Sequence, residues 1–95
     1  SSNPQFTAML LQLYERKNDW QGVEALLPTA KKQGALPEPL LETLNDEVYT
    51  QGLVTQGDKV AAFKSLPRIQ RKRMANIAIY AQELLKNGEI EMNNW

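Results

Sequence analysis

Apolar residues recur at spacings of three and four along the first third of the chain, which is the pattern of helices with one buried face. The first such segment covers residues 6–17, with apolar side chains at Phe6, Met9, Leu10, Leu13 and Tyr14. The second carries an apolar stripe formed by Trp20, Val23, Leu26, Leu27 and Ala30. Two helices are therefore predicted before residue 34.

The polar residues around these stripes predict where the second helix begins and ends. Asn18-Asp19 provides a turn and an N-cap, and Gly34 is a plausible C-cap. Pro28 lies inside the stripe, where a proline removes one helical hydrogen bond. We therefore expect the helix to kink or end at Pro28, or a short turn to continue to Lys32.

Three further helices are predicted in the remainder of the chain. A third begins near Pro37 or Pro39 and buries Leu40, Leu41, Leu44, Val48 and Leu53. A short fourth follows the turn and N-cap at Gly57-Asp58 and covers residues 59–66, and a fifth covers residues 69–86 without interruption. The predicted buried face of the fifth contains Met74, Ile77, Ala78, Ala81, Leu84 and Leu85. Ile90, Met92 and Trp95 resemble the start of a sixth helix, whose apolar side chains would favour self-association.

No segment alternates between apolar and polar residues as a strand would, so the predicted fold class is all-α. The pattern also recurs, since Leu27-Pro28 matches Leu66-Pro67 at an offset of 39 residues. Asp19 and Gly88 are 69 residues apart, which is close to twice the period of about 34 of tetratricopeptide repeats. We therefore expect residues 1–95 to form a single domain of about two and a half irregular repeats. Stacked antiparallel hairpins would then form a fragment of an α-solenoid from a longer protein.

Composition narrows the function classes. The chain has 11 basic and 11 acidic residues, a balance that disfavours nucleic-acid binding. It contains no Cys and no His, which removes the commonest nucleophiles, general bases and zinc or haem ligands. No apolar run approaches the length of about 20 residues that a membrane span requires. We expect no catalytic residue, metal site or cofactor, and thus a protein that is not an enzyme.

Several motifs, taken in order, resemble a known family. Tyr14, Asp19-Trp20, Leu26-Leu27-Pro28 and Leu66-Pro67 resemble the repeat region of HemY proteins, which are proteobacterial inner-membrane proteins associated with haem biosynthesis. The resemblance continues through residues 79–85 and Gly88, although Phe63 stands where a Trp often precedes Leu-Pro. It implies a soluble helical-repeat region of a membrane-anchored protein and supplies no catalytic residues. The implied partners include enzymes of haem biosynthesis.

The candidate partner-binding residues lie together near the start of the predicted fifth helix. Their basic side chains suit an anionic group such as a carboxylate, a lipid phosphate or a porphyrin propionate. Lys72 and Asn76 also share the i, i+4 spacing of a carboxylate clamp, although an ordinary solvated face has the same pattern. The predicted partner-binding set is Arg68, Arg71, Lys72, Arg73 and Asn76.

Three function hypotheses follow from these features. The first is a non-enzymatic protein–protein interaction or scaffold module, in which stacked first helices form a groove for a peptide. The second is tetrapyrrole handling, in which the same groove holds a porphyrin without axial ligation. The third is a purely structural segment that continues the solenoid and contacts nothing itself. A generic tetratricopeptide-repeat adaptor is an alternative within the first class.

Overall fold

The computed structural model describes residues 3–90, and within them the fold is all-α, as predicted. No strand occurs in this part of the chain. The six helices are α1 (Pro4–Arg16), α2 (Trp20–Gln33), α3 (Glu38–Thr55), α4 (Lys59–Lys64), α5 (Arg68–Arg71) and α6 (Met74–Lys86). The predicted sixth helix at Met92 and Trp95 lies outside the described residues.

Side-chain caps explain where three of the helices begin. Asn3 Oδ1 accepts a hydrogen bond from the Phe6 amide at 3.1 Å, and Asp19 Oδ1 accepts one from the Gly22 amide at 2.9 Å. Asp58 Oδ1 does the same for the amide of Ala61 at 3.0 Å. Each bond satisfies an amide that has no partner within its own helix. The predicted caps at residues 19 and 58 are therefore confirmed.

The first compact unit ends at Val48 and contains α1, α2 and the start of α3. A three-residue turn, residues 17–19, joins α1 to α2, and the two helices pack against each other. The core of this unit draws on all three helices and consists of Leu11, Val23, Leu27, Ala30, Leu41 and Leu44. Trp20 and Tyr14 pack at its margin, so the predicted packing of Trp20 with the core is confirmed.

The second compact unit begins at Tyr49 and contains the end of α3 with α4, α5 and α6. Its buried apolar side chains are Leu53 and Phe63. The Phe63 and Tyr80 rings stack with centroids 4.2 Å apart and planes inclined by 10°, which packs α4 against α6. Two polar side chains, Gln70 and Asn76, are also buried in this unit, as described below.

Helix α2 continues through Pro28, so the predicted end of the helix at this proline is wrong. Pro28 is exposed, whereas Leu27 and Ala30 on either side are buried. Packing of this buried stripe holds α2 in one piece although one backbone hydrogen bond is missing. The helix ends at Gly34, whose φ of 63° is the left-handed conformation that glycine adopts without strain.

The predicted uninterrupted fifth helix is also wrong, because a break at Lys72 and Arg73 separates α5 from α6. Arg73 is extended, with φ −80° and ψ 131°. Within an unbroken helix the Gln70 carbonyl would accept a bond from the amide of residue 74. Here the Asn76 side-chain amide donates to that carbonyl at 2.9 Å instead.

Some residues on the predicted buried faces of the helices are exposed in the structure. On α1 the buried positions are Thr7 and Leu11, whereas Phe6, Met9 and Leu13 are exposed. Thr7 is tolerated inside because its hydroxyl donates to the Asn3 carbonyl at 3.2 Å. Three further residues predicted to be buried, Leu40, Met74 and Ala78, are also exposed. Leu40 and Met74 each lie in the first turn of a helix.

Candidate functional site

A buried polar cluster in the second unit fixes the geometry of the turn between α5 and α6. The Asn76 side chain has no exposed surface, and its amide donates both to the Gln70 carbonyl at 2.9 Å and to Gln70 Oε1 at 3.1 Å. The Oδ1 atom of Asn76 accepts a 2.6 Å bond from the Thr50 hydroxyl. These bonds tie the turn to the last part of α3 from the inside.

Arg73 belongs to the same cluster. Its NH1 donates to the Thr50 hydroxyl and to Gln70 Oε1, each at 3.0 Å. The guanidinium thus uses its donors within the protein, and the side chain is half-buried. Two members of the predicted partner-binding set, Arg73 and Asn76, therefore face the interior and hold the turn.

The other three members face solvent. Arg68, Arg71 and Lys72 are exposed, and the Arg71 guanidinium donates to the Leu66 carbonyl at 2.7 Å. The apolar residues beside them are still more exposed, with 73% of Ile69 and 75% of Met74 accessible to solvent. Residues 68–74 are hereafter called the basic turn.

The positive charge extends well beyond the basic turn. Residues 59–82 contain six Lys or Arg residues and no Asp or Glu, so this segment has a net charge of +6. The chain as a whole is neutral. All of these residues belong to the second compact unit, whose seven basic and four acidic residues give it a net charge of +3, and the positive segment has a local field that attracts anions.

A second surface feature lies on α1 in the first unit. Phe6, Met9 and Leu13 are spaced by three and four residues, which places them on one face of the helix. Their side chains are 56%, 62% and 43% exposed. These three residues are hereafter called the α1 stripe.

The charges at the end of the α1 stripe are of one sign. Arg16 and Lys17 follow Leu13 by three and four residues and so lie next to it on the same face. Glu15, the one acidic residue of α1, is two residues from Leu13 and does not share that face. The stripe therefore has an apolar body with a cationic end.

The sequence pattern identified the basic residues but missed the two that organise them. Thr50 and Gln70 lie in segments where the sequence pattern is set by the apolar residues. Gln70 is buried, although its neighbours Ile69 and Arg71 are both exposed. No sequence signal marks Thr50, because its partners are 23 and 26 residues away.

The described residues contain no group of three or more Asp, Glu, His or Cys side chains placed to hold a metal ion. Across residues 3–90, no helix combines the length and apolar character needed to cross a bilayer. Comparison with family models, curated proteins and solved structures found no match to this chain.

Proposed function

We propose that this chain is a non-enzymatic protein–protein interaction module that binds its partner through the α1 stripe. The observation that carries the proposal is the exposure of three large apolar side chains on one face of a single helix. Contiguous apolar surface of this kind is typical of contact sites, whereas single exposed apolar residues are ordinary. The stripe is about 10 Å long, since seven residues separate its ends at about 1.5 Å each.

The stripe suits a partner that is itself an amphipathic helix. Helix–helix contacts use apolar residues at spacings of three and four, which is the spacing of Phe6, Met9 and Leu13. The cationic end formed by Arg16 and Lys17 favours a partner with carboxylates beyond its apolar residues. Polar side chains of Gln5 and Gln12 on this helix are exposed and supply the rim of such a contact.

The HemY-type assignment belongs to the same proposal. It is supported by the all-α fold, by the α1–α2 hairpin capped at Asp19, and by the Leu-Pro pairs that end at Pro28 and Pro67. On this assignment the chain is a repeat segment of a scaffold protein anchored in a bacterial inner membrane, and its partners include enzymes of haem biosynthesis. The parent sequence tests it, since hydrophobic anchors upstream and further repeats on both sides are expected.

Site-specific photocrosslinking tests the interaction proposal. We expect a photoreactive residue at Met9 to give a discrete crosslinked protein in cells that make the protein naturally. The matched control places the same residue at Glu24, which is exposed on α2. The product should disappear when Phe6 and Leu13 are changed to Ser. A product that survives these changes, or an equal yield from position 24, would contradict a role for the stripe.

Two further measurements separate this proposal from its alternatives. Sedimentation that shows a concentration-dependent dimer, abolished by Met9→Ser, would assign the stripe to self-association rather than to another protein. Titration with protoporphyrin tests tetrapyrrole handling. We expect no saturable shift of the Soret band, and a shift at micromolar ligand would favour the tetrapyrrole alternative.

A further inference from the structure

The basic turn combines exposed apolar side chains with exposed cations. Ile69 and Met74 are the most exposed of the large apolar side chains in the described residues, at 73% and 75%. The exposed cations Arg68, Arg71 and Lys72 lie between or beside them in the sequence. Exposed apolar residues within a basic segment indicate a surface that receives both apolar and anionic groups.

The positive charge around the turn favours a partner with negative charge. Residues 59–82 contain six cations and no carboxylate, and the acidic residues Asp58 and Glu83 lie at the two ends of this segment. Lys59 and Lys64 on α4 add to the field of the turn within the same compact unit. An anionic partner is attracted, and the attraction weakens as salt is added.

The interior of the turn shows that it is already in a fixed conformation. Gln70 and Asn76 are 2% and 0% exposed, and Asn76 holds the backbone between α5 and α6 through hydrogen bonds to Gln70 and to Thr50. Because the turn is already ordered, docking avoids much of the entropic cost of ordering the chain, which is one of the main costs of binding. The inward side chains Gln70 and Asn76 hold the turn in place, so its outward side chains remain available for binding.

We propose that the basic turn docks on the surface of an anionic lipid bilayer. Ile69 and Met74 enter the interfacial layer, while Arg68, Arg71 and Lys72 pair with lipid phosphates. A bilayer fits better than the other anionic partners because its interface accepts protruding apolar side chains without a preformed pocket. A nucleic-acid backbone offers no apolar layer to Ile69 and Met74, and an acidic protein would need a matching cavity for each.

Vesicle binding by the full chain tests the proposal. The probes are vesicles of phosphatidylcholine and vesicles of equal parts phosphatidylcholine and phosphatidylglycerol. We expect binding to the anionic vesicles alone, with a loss in high salt. Arg68→Gln, Arg71→Gln and Lys72→Gln together should lower the partition coefficient about 100-fold, since each cation near the surface contributes about fivefold.

A second variant distinguishes the loss of lipid contacts from a change in the fold. The Arg71 guanidinium donates to the Leu66 carbonyl, so its removal changes an internal contact. Arg68→Gln with Lys72→Gln leaves that contact intact and should still lower binding about 25-fold. The matched control removes three exposed lysines of the first unit, Lys17, Lys31 and Lys32, and should change binding by less than about fivefold.

A fluorescent reporter tests the insertion of the apolar side chains. The chain has no Cys, so one introduced cysteine can be labelled uniquely with an environment-sensitive dye. We expect a blue shift on anionic vesicles from Ile69→Cys and from Met74→Cys. Leu40→Cys is the control, because Leu40 is also exposed, at 52%, but lies in the first unit.

Three outcomes would overturn the proposal. The first is equal binding to neutral and anionic vesicles. The second is a loss of binding in the lysine control as large as that in the basic-turn variant. The third is binding to soluble polyglutamate as tight as binding to anionic vesicles, with no blue shift at residues 69 and 74, which would assign the turn to an acidic protein. The photocrosslinking test of the α1 stripe uses a different unit, so either proposal can fail alone.

Discussion

The Thr50 hydroxyl donates a 2.6 Å hydrogen bond to Asn76 Oδ1, which joins the end of α3 to the first turn of α6 across 26 residues of sequence. The same Asn76 side chain donates its amide to the Gln70 carbonyl, at the end of α5. The buried Asn76 side chain thus bonds both to a carbonyl at the end of α5 and to a hydroxyl on α3. Because buried polar groups are costly when unpaired, the members of this cluster depend on one another.

Replacement of Asn76 by Ala should strongly destabilise the protein. The change removes the side-chain donor to the Gln70 carbonyl, which then keeps only the Arg73 amide at 3.2 Å, and it removes the acceptor of the Thr50 hydroxyl. We expect the free energy of unfolding to fall by about 2–3 kcal/mol. Urea unfolding followed by circular dichroism measures the loss. Asn87→Ala is the control, because Asn87 is exposed, and it should change stability by less than about 0.5 kcal/mol. Equal effects would contradict the role assigned to the cluster.

Thr50 gives a separate test of the same cluster. Thr50→Val keeps the shape of the side chain but removes the hydroxyl that bonds to Asn76 and Arg73, and we expect a loss of about 1–2 kcal/mol. Thr50→Ser retains the hydroxyl and should cost clearly less. A double-mutant cycle with Asn76→Ala should show coupling of about 1 kcal/mol. Additive effects in that cycle would mean that the two side chains do not interact in solution.

The break between α5 and α6 shows which part of the fold was not predictable from the sequence. Residues 69–86 contain no glycine or proline, so local propensity favours a continuous helix. The break depends instead on Asn76 bonding back to Gln70 and across to Thr50. The caps at Asp19 and Asp58 were predictable because each acts on an amide only three residues away.

The orientation of α1 was not predictable for a different reason. Its apolar residues occupy most of the helix circumference, so spacing alone does not select one buried face. The core selects Leu11, which is 0% exposed, whereas Leu13 is 43% exposed. The same ambiguity conceals the α1 stripe, because the spacing predicts Phe6, Met9 and Leu13 on the buried side. The basic residues of the candidate site were visible in sequence, but the inward direction of Arg73 and Asn76 was not.

A pair of leucine substitutions checks this orientation. Leu11→Ala creates a cavity in the core of the first unit and should lower the free energy of unfolding by about 2–4 kcal/mol. Leu13→Ala removes the same atoms from an exposed position and should cost less than about 1 kcal/mol. Chemical denaturation of the two variants gives the comparison. Losses of similar size would mean that the stripe containing Leu13 is buried in solution.

Two glycine-to-alanine changes with opposite signs test how closely the helices approach. A Cβ atom at Gly22 would lie 2.7 Å from Asp19 Oδ2 and 3.0 Å from the Tyr14 ring, so Gly22→Ala displaces the side chain that caps α2. We expect a loss of about 1 kcal/mol, similar to the loss of an N-cap. At Gly52, inside α3, a Cβ atom would meet nothing within 4 Å. Gly52→Ala should therefore raise stability by about 0.5–1 kcal/mol through helix propensity alone.

The comparison between the two glycine variants is informative because the substitution is the same and only the surroundings differ. Thermal unfolding should show a lower midpoint for Gly22→Ala and a higher midpoint for Gly52→Ala. If Gly22→Ala were also stabilising, the Tyr14 ring and the Asp19 cap would have to move aside at no cost. The packing of α1 against α2 at this turn would then be looser than the 3.0 Å approach to the Tyr14 ring indicates.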